Sequence, residues 1–254
     1  KYFQIKMKDW IKFLDRKNYK DFKDGKYSQS YQDVLLEYIF SNIEAKNNPP
    51  FCVEFGFNTD SFDKENSGIN VLNLIRNHKW DFLLLDGMRE NTSINLYKHF
   101  LTSENICKVL EKYKIPKSPE YISIDVDSTD LWLFEAVIKK YKPMVISVEY
   151  NCHFPHDKAI TFPNNTNFSW EGDRSYGASL KALKLVGEKN GYSLLWVVKY
   201  LDAFFIRNDL IEDGSDSICF PYEKWINHCN ILGHKRSIEN KLLNEFIDYE
   251  VYLE

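Results

Sequence analysis

Two acids about thirty residues apart are the first groups in this chain able to do chemistry. Glu54 ends the apolar run Phe51-Cys52-Val53-Glu54-Phe55-Gly56, and Asp86 ends Phe82-Leu83-Leu84-Leu85-Asp86-Gly87. Each stands at the carboxyl end of a predicted parallel strand, where ligands of open α/β sheets bind. Gly56 lets backbone come close to a ligand, and Asp86 can accept both hydrogen bonds of a ribose diol. The pair suits a nucleoside cofactor with separate cationic and polyhydroxyl ends. Both acids also have a plainer reading, as caps on neighbouring helix N-termini.

A second constellation follows. Asp125 and Asp127 are two residues apart, as are Glu149 and Asn151, with His153 just beyond. In extended chain such pairs point to one side. Adjacent parallel strands would gather them, and gathered carboxylates repel unless a cation or proton is shared. Oxygen ligands with a carboxamide suit a hard ion such as Mg²⁺, which makes Asp125, Glu149 and Asn151 a candidate metal set. Two alternatives stand beside it: Glu149 hydrogen-bonds a substrate hydroxyl directly, and Asp127 with Ser128 and Thr129 caps the next helix. His153 and His99 are rival bases. Trp132, Phe154, Phe162, Phe168, Trp170 and Tyr176 would form either an apolar wall for an acceptor or ordinary loop packing.

The elements that position these residues read as follows. Residues 4–48 are mainly helical, clearest at 31–43, and Asn47-Asn48-Pro49-Pro50 ends them. Strands are expected at 51–56, 82–86, 94–100, 121–125, 144–149, 192–199 and 203–207, the last antiparallel at the sheet edge. Helices are expected near 69–77, 104–113 with Ser103 as cap, 131–140, 178–190 and through the tail 220–254. The helix 131–140 is the right length for a crossover between parallel strands. The result is an α/β fold: a Rossmann-like, doubly wound, mostly parallel seven-stranded sheet with an antiparallel edge strand. The expected divisions are a helical N-terminal cover (1–48), a cofactor-binding core (49–210) and a helical extension (211–254). Residues 151–175, long and without periodicity, read as a lid or substrate loop. For the tail, a surface cover and a homo-oligomer arm both fit.

With 33 basic and 37 acidic residues the net charge is −4, so no global field recruits nucleic acid. The early basic residues read as the solvated face of an amphipathic helix. No apolar run approaches the ~18 residues that span a bilayer. The five cysteines are scattered without a CxxC, which fits a reducing cytoplasm better than zinc or disulfides.

The order of the motifs over residues 28–208 resembles a class I S-adenosylmethionine-dependent methyltransferase. Val53-Glu54-Phe55-Gly56 stands where that family has its E/DxGxG-like motif, although Gly56-Phe57-Asn58 lacks the second glycine. Adding Ser28-Gln29-Ser30-Tyr31-Gln32-Asp33, Ser123-Ile124-Asp125-Val126-Asp127 and Val148-Glu149-Tyr150-Asn151, the set is similar to the FkbM-type branch, associated with O-methylation of sugars and natural products. The resemblance implies that Glu54 and Gly56 face the amino-acid end of the cofactor and that Asp86, with Gly87, faces the ribose. Gln32 would close over the cofactor, while Asp127, Tyr150 and Tyr176 would meet a sugar acceptor. Some sugar and catechol O-methyltransferases have metal ligands after the fourth and fifth strands. Two other expectations remain: a nucleotide-sugar transferase using Asp125-Val126-Asp127 as a DxD motif, and a non-catalytic binding module.

Overall fold

Parallel strands buried on both faces need near-continuous apolar runs, and this chain supplies them in register. In the computed structural model, which describes residues 9–17, 21–63, 68–165, 167, 170, 172, 176–211, 222–229 and 247–252, two helices lead in, α1 (Asp9–Asp15) and α2 (Gln32–Phe40). Then β1 (Phe51–Phe55), α3 (Leu72–His78), β2 (Asp81–Asp86), β3 (Leu96–Lys98), α4 (Ile106–Lys112), β4 (Tyr121–Ile124), α5 (Asp130–Lys140) and β5 (Val145–Glu149) alternate. After a short β6 (Ile160–Thr161) come α6 (Leu180–Lys189), β7 (Tyr192–Val197) and β8 (Asp202–Arg207). Seven strands form one sheet in the order β3-β2-β1-β4-β5-β8-β7. All neighbours are parallel except those of β8, which runs antiparallel to both β5 and β7 and so lies one place in from the edge.

The sheet order reverses between β1 and β4, which opens a crevice at their carboxyl ends. Register then decides what lines it. Phe55 pairs with Leu85 and Ile124, and Ile124 pairs with Val148. The residues that follow (Gly56, Asp86, Asp125 and Glu149) therefore leave the sheet at one level. Asp202 joins them as the partner of Glu149.

The opposite edge is tied by one acid. Glu120 is fully buried, and its carboxylate accepts N–H groups from Lys46, Asn47 and Phe51 plus the Asn47 amide. This anchors the Asn-Pro break to the start of β4. The Ser28–Asp33 segment is shaped in the same manner: Asp33 accepts from the Lys26 and Tyr27 amides and from Ser28 Oγ.

Three expectations change. Ser103 does not cap α4; its hydroxyl bonds Asn164, while Thr102 and Asn105 exchange side chain-to-backbone bonds at that turn. The third strand is shorter than expected because only Leu96–Lys98 finds partners on β2, and Phe100 leaves the sheet 47% exposed. The tail is not helical throughout: after α7 (Tyr222–Cys229), β9 (Ile247–Asp248) pairs antiparallel with β6, and residues 230–246 lie outside the described residues. Among the described residues no helix is long and apolar enough to cross a membrane.

Removing the Glu120 carboxylate leaves several buried N–H groups unsatisfied. Glu120→Ala should cost about 3 kcal/mol or more of unfolding free energy, read by urea denaturation. A loss within ~0.5 kcal/mol, the ordinary surface range, would mean that water replaces the carboxylate there.

Candidate functional site

Gly56 opens the crevice. Its φ is +78°, and a Cβ built on it would lie 1.6 Å from the Asp125 carbonyl oxygen. No side chain fits there, so the glycine serves a backbone-to-backbone approach of the β1 and β4 ends, and it also lines the cleft. Two residues on, Asn58 has a φ of 48°. It occupies the position where the family motif carries its second glycine, and asparagine tolerates that left-handed conformation.

The cleft holds about 310 Å³ and is lined by Gly56, Asn58 and residues 86–89, 99–101 and 125–128, with Trp170 above. Asp86 lies in its wall. Its carboxylate accepts the amides of Asn58, Met88 and Arg89 at 3.1, 2.7 and 2.7 Å. Those three bonds use all but one of its about four lone-pair positions. Arg89 stands 3.8 Å from the same carboxylate. Gly87 also lines the cleft, but a Cβ there would meet only Phe100 at 3.8 Å, an ordinary contact. His99 lines the same end. Its Nε2 meets the Tyr113 hydroxyl at 2.9 Å, and burial, then Lys112, lowers its pKa, so the ring is neutral at physiological pH.

Glu54 takes the helix-capping part. Its oxygens accept the Asn70 and Val71 amides at the start of α3, and it does not line the cleft. Burial, opposed by those two bonds, pushes its pKa to about 8.

The acidic residues gather as their spacing suggested, with a changed membership. Asp125, Asp127 and Glu149 each place a carboxylate oxygen within 4.8 Å of the others. Asp127 does not cap α5, whose N-terminus has no side-chain cap; Asp130 instead ties down the preceding turn by accepting the Val126 and Ser128 amides. Asp127 sits at φ 55° with its carboxylate left to the cleft. Burial raises the proton affinity of Asp125 and Glu149 well above the carboxylate range, and the charge of Asp202 on Asp125 and of Asp125 on Glu149 raises it further. Glu149 Oε2 is shut off from solvent with no hydrogen-bond partner.

Asn151 is not arranged as a ligand of this cluster. Its Oδ1 accepts the His153 amide and its Nδ2 donates to the Tyr176 carbonyl, so it sutures two loop segments. Tyr150 is fully buried, its hydroxyl accepting the Tyr200 amide. Tyr176 does face the cluster: burial and then the Glu149 charge raise its pKa, so the phenol stays protonated. His153 does not line the cleft. Of the candidate wall, Trp132, Phe154 and Phe162 are buried, Phe168 lies outside the described residues, and Trp170 reaches the cleft.

Gln32 is 2% exposed and turned inward, donating to Asp202 at 2.9 Å rather than facing the cleft. Asp202 is the residue missed in the sequence. It is buried behind Asp125 and Glu149, and bonds from Gln32 and Asn70 partly offset a desolvation that raises its pKa to about 6. Its position at the start of an edge-pair strand carried no motif; only antiparallel pairing with β5 brings it there.

No family model matches the chain, and no curated protein matches it. Among solved structures, the CMeT domain of the citrinin polyketide synthase aligns over 69% of this chain at 11% identity with a TM-score of 0.37. The aligned part spans 50% of that chain's length.

Gly56→Ala should lose at least about 3 kcal/mol of stability or fail to fold, whereas Gly87→Ala should stay within about 1 kcal/mol of the parent. Thermal unfolding of the two variants checks this contrast. The buried acids also set a pH dependence. Asp130 and Asp202 are raised to about 6 and Glu54 to about 8, against roughly 4 for an unfolded carboxylate. As pH rises from about 4 towards 8, the unfolded chain releases these protons while the folded chain keeps them. Their contribution to stability therefore falls, by up to about 1.4 kcal/mol per group per pH unit, and levels off above each folded pKa. Denaturant unfolding at pH 5 and pH 8 should show the decline, and Asp202→Asn should flatten it between about pH 4 and 6. A slope unchanged by that substitution would remove Asp202 from the cause.

Proposed function

We propose that this protein is an S-adenosylmethionine-dependent O-methyltransferase acting on a hydroxyl of a carbohydrate or nucleotide-linked sugar. The observation that carries the reading is the common level of Gly56, Asp86, Asp125 and Glu149 at the carboxyl edge of the sheet, the first three of them lining one cleft at its switch point. Asp86 would take a ribose hydroxyl on its remaining lone pair. The Gly56–Asn58 turn, pinned by the Asn58-to-Asp86 bond, would bring backbone against the methionine end.

S-adenosylmethionine supplies a methyl group already activated on sulfur. This chain's part is to align the acceptor oxygen and to remove its proton. Two carboxylates buried side by side hold a proton between them at neutral pH, because both cannot ionise cheaply. The ionised member of the Asp125–Glu149 pair is then the base that accepts the hydroxyl proton. His99, neutral and in the same cleft, is nearer the ribose acid than the cluster in the chain's layout. We assign it to the cofactor end. Trp170, from the 151–175 segment, is the lid residue over the acceptor.

A second reading rests on the span of 4.8 Å among the three carboxylate oxygens: a divalent ion such as Mg²⁺ held by Asp125, Asp127 and Glu149. Carboxylate oxygens fit such an ion chemically.

Calorimetry with S-adenosylhomocysteine tests the cofactor. We expect saturable binding that Asp86→Ala weakens by ~1–3 kcal/mol, the scale of a lost charge-assisted bond. Binding of nucleotide sugars in place of S-adenosylhomocysteine would select the DxD transferase. With an acceptor in hand, Asp125→Asn and Glu149→Gln should each lower turnover by about 10²-fold or more, the usual worth of a positioned base. Chelator should leave the parent unchanged if the carboxylates act alone and abolish turnover if the metal reading holds.

A further inference from the structure

Asp125 and Asp127 line the cleft and Glu149 gathers with them, three carboxylates with no compensating cation among the described residues, and the surroundings say which kind of partner they need. Among the described residues no lysine, arginine or histidine forms an ion pair with Asp125, Asp127 or Glu149. No described N–H group bonds their carboxylates either, unlike those of Glu54, Asp86 and Asp130. Glu149 Oε2 is buried and lacks a hydrogen-bond partner among the described residues, which is costly unless a ligand supplies a donor. Against this cluster stand Tyr176, with its phenol held protonated, and Trp170, 43% exposed and packed edge-on to Tyr176 at 5.7 Å. Carboxylates flanked by aromatic faces make a site for an organic cation.

We propose that the acceptor end of the cleft recognises a protonated amine, so that the methylated carbohydrate is an amino sugar held through its ammonium group by Asp127 and Glu149. The proposal rests on the methyl-transfer reading for its reaction and on the cluster alone for its ligand. An ammonium offers three N–H donors in tetrahedral directions, which place acceptors ~4.6 Å apart at N···O of ~2.8 Å. The three carboxylate oxygens lie within 4.8 Å of one another, which accommodates that arrangement. The amide that would have extended a metal set, Asn151, is already committed to the His153 amide and the Tyr176 carbonyl.

Held between carboxylates, the amine stays protonated and has no lone pair for attack. The neighbouring hydroxyl is therefore the nucleophile. Its oxygen forms the bond to the methyl carbon as the carbon–sulfur bond breaks with its electron pair leaving on sulfur, and the hydroxyl proton passes to the Asp125–Glu149 pair.

The test uses the whole protein, with and without S-adenosylhomocysteine, and three probes: glucosamine, N-acetylglucosamine and glucose, followed by saturation-transfer NMR and thermal shift. Glucosamine should bind at least about tenfold tighter than the other two, and Asp127→Asn should weaken it about tenfold or more while leaving the melting temperature of the free protein near the parent's. Glu149→Gln should act in the same direction. Equal binding of the three sugars, no binding of any, or a glucosamine preference untouched by Asp127→Asn would overturn the proposal. So would stoichiometric Mg²⁺ binding that Asp127→Asn removes. Amine-dependent binding without any S-adenosylhomocysteine affinity would keep the cation site and discard the methyl-transfer reading; the reverse result would discard only the cation site.

Discussion

The cost of burying carboxylates organises this protein. A charge removed from water is expensive unless hydrogen bonds or opposite charges replace the lost solvation. The chain meets that cost in two distinct ways. Glu120, Asp33, Glu54, Asp86 and Asp130 each accept at least two backbone N–H groups, so their carboxyl groups are committed to shaping the chain. Asp125, Asp127 and Glu149 accept no such bonds among the described residues, so nothing offsets the burial that raises their proton affinities, whereas in Glu54 and Asp130 the bonds offset part of it. The first group builds loops and strand entries. The second is left with its solvation deficit, Asp125 and Asp127 in the wall of a cleft and Glu149 gathered with them.

This division explains why neighbouring acids have different parts. Asp127 and Asp130 are three residues apart, yet Asp130 turns back onto the β4–α5 turn and spends its charge there. Because Asp130 makes those bonds, the left-handed Asp127 is released towards the cleft. Glu54 and Asp86 differ similarly. Glu54 is covered by the start of α3, whereas Asp86 keeps one edge open beside Arg89 and His99. Behind them, the Gln32–Asp202–Asn70 bonds tie the N-terminal segment to the floor under the acidic cluster. The start of the chain is thereby coupled mechanically to the site without lining it.

Much of this was legible in the residues. The apolar runs ending in acids marked β1, β2, β4 and β5, the Asn-Pro break marked the entry to β1, and the i, i+2 pairs marked the carboxyl edge that bears the cluster. Where the sequence lacks a second glycine, Asn58 adopts the left-handed conformation. What misled were side chains whose role depends on who reaches them first. Asn151 and Gln32 look like ligand groups in one dimension, but in the fold a loop amide and a buried aspartate claim them.

By itself the sequence determined the periodicity, and therefore the alternation of strands and helices, the direction of the crossovers and the edge at which acids accumulate. These follow from local sterics and hydrophobic burial, which act over a few residues at a time. Only the tertiary structure decided which acid is neutralised by backbone and which is left to a ligand. It also decided that Asp202 joins the cluster, through antiparallel pairing of β8 with β5. A hydrogen-bond donor satisfies a carboxylate only at about 3 Å, and distances of that order between residues far apart in the chain are set by strand register and packing, not by spacing along the chain.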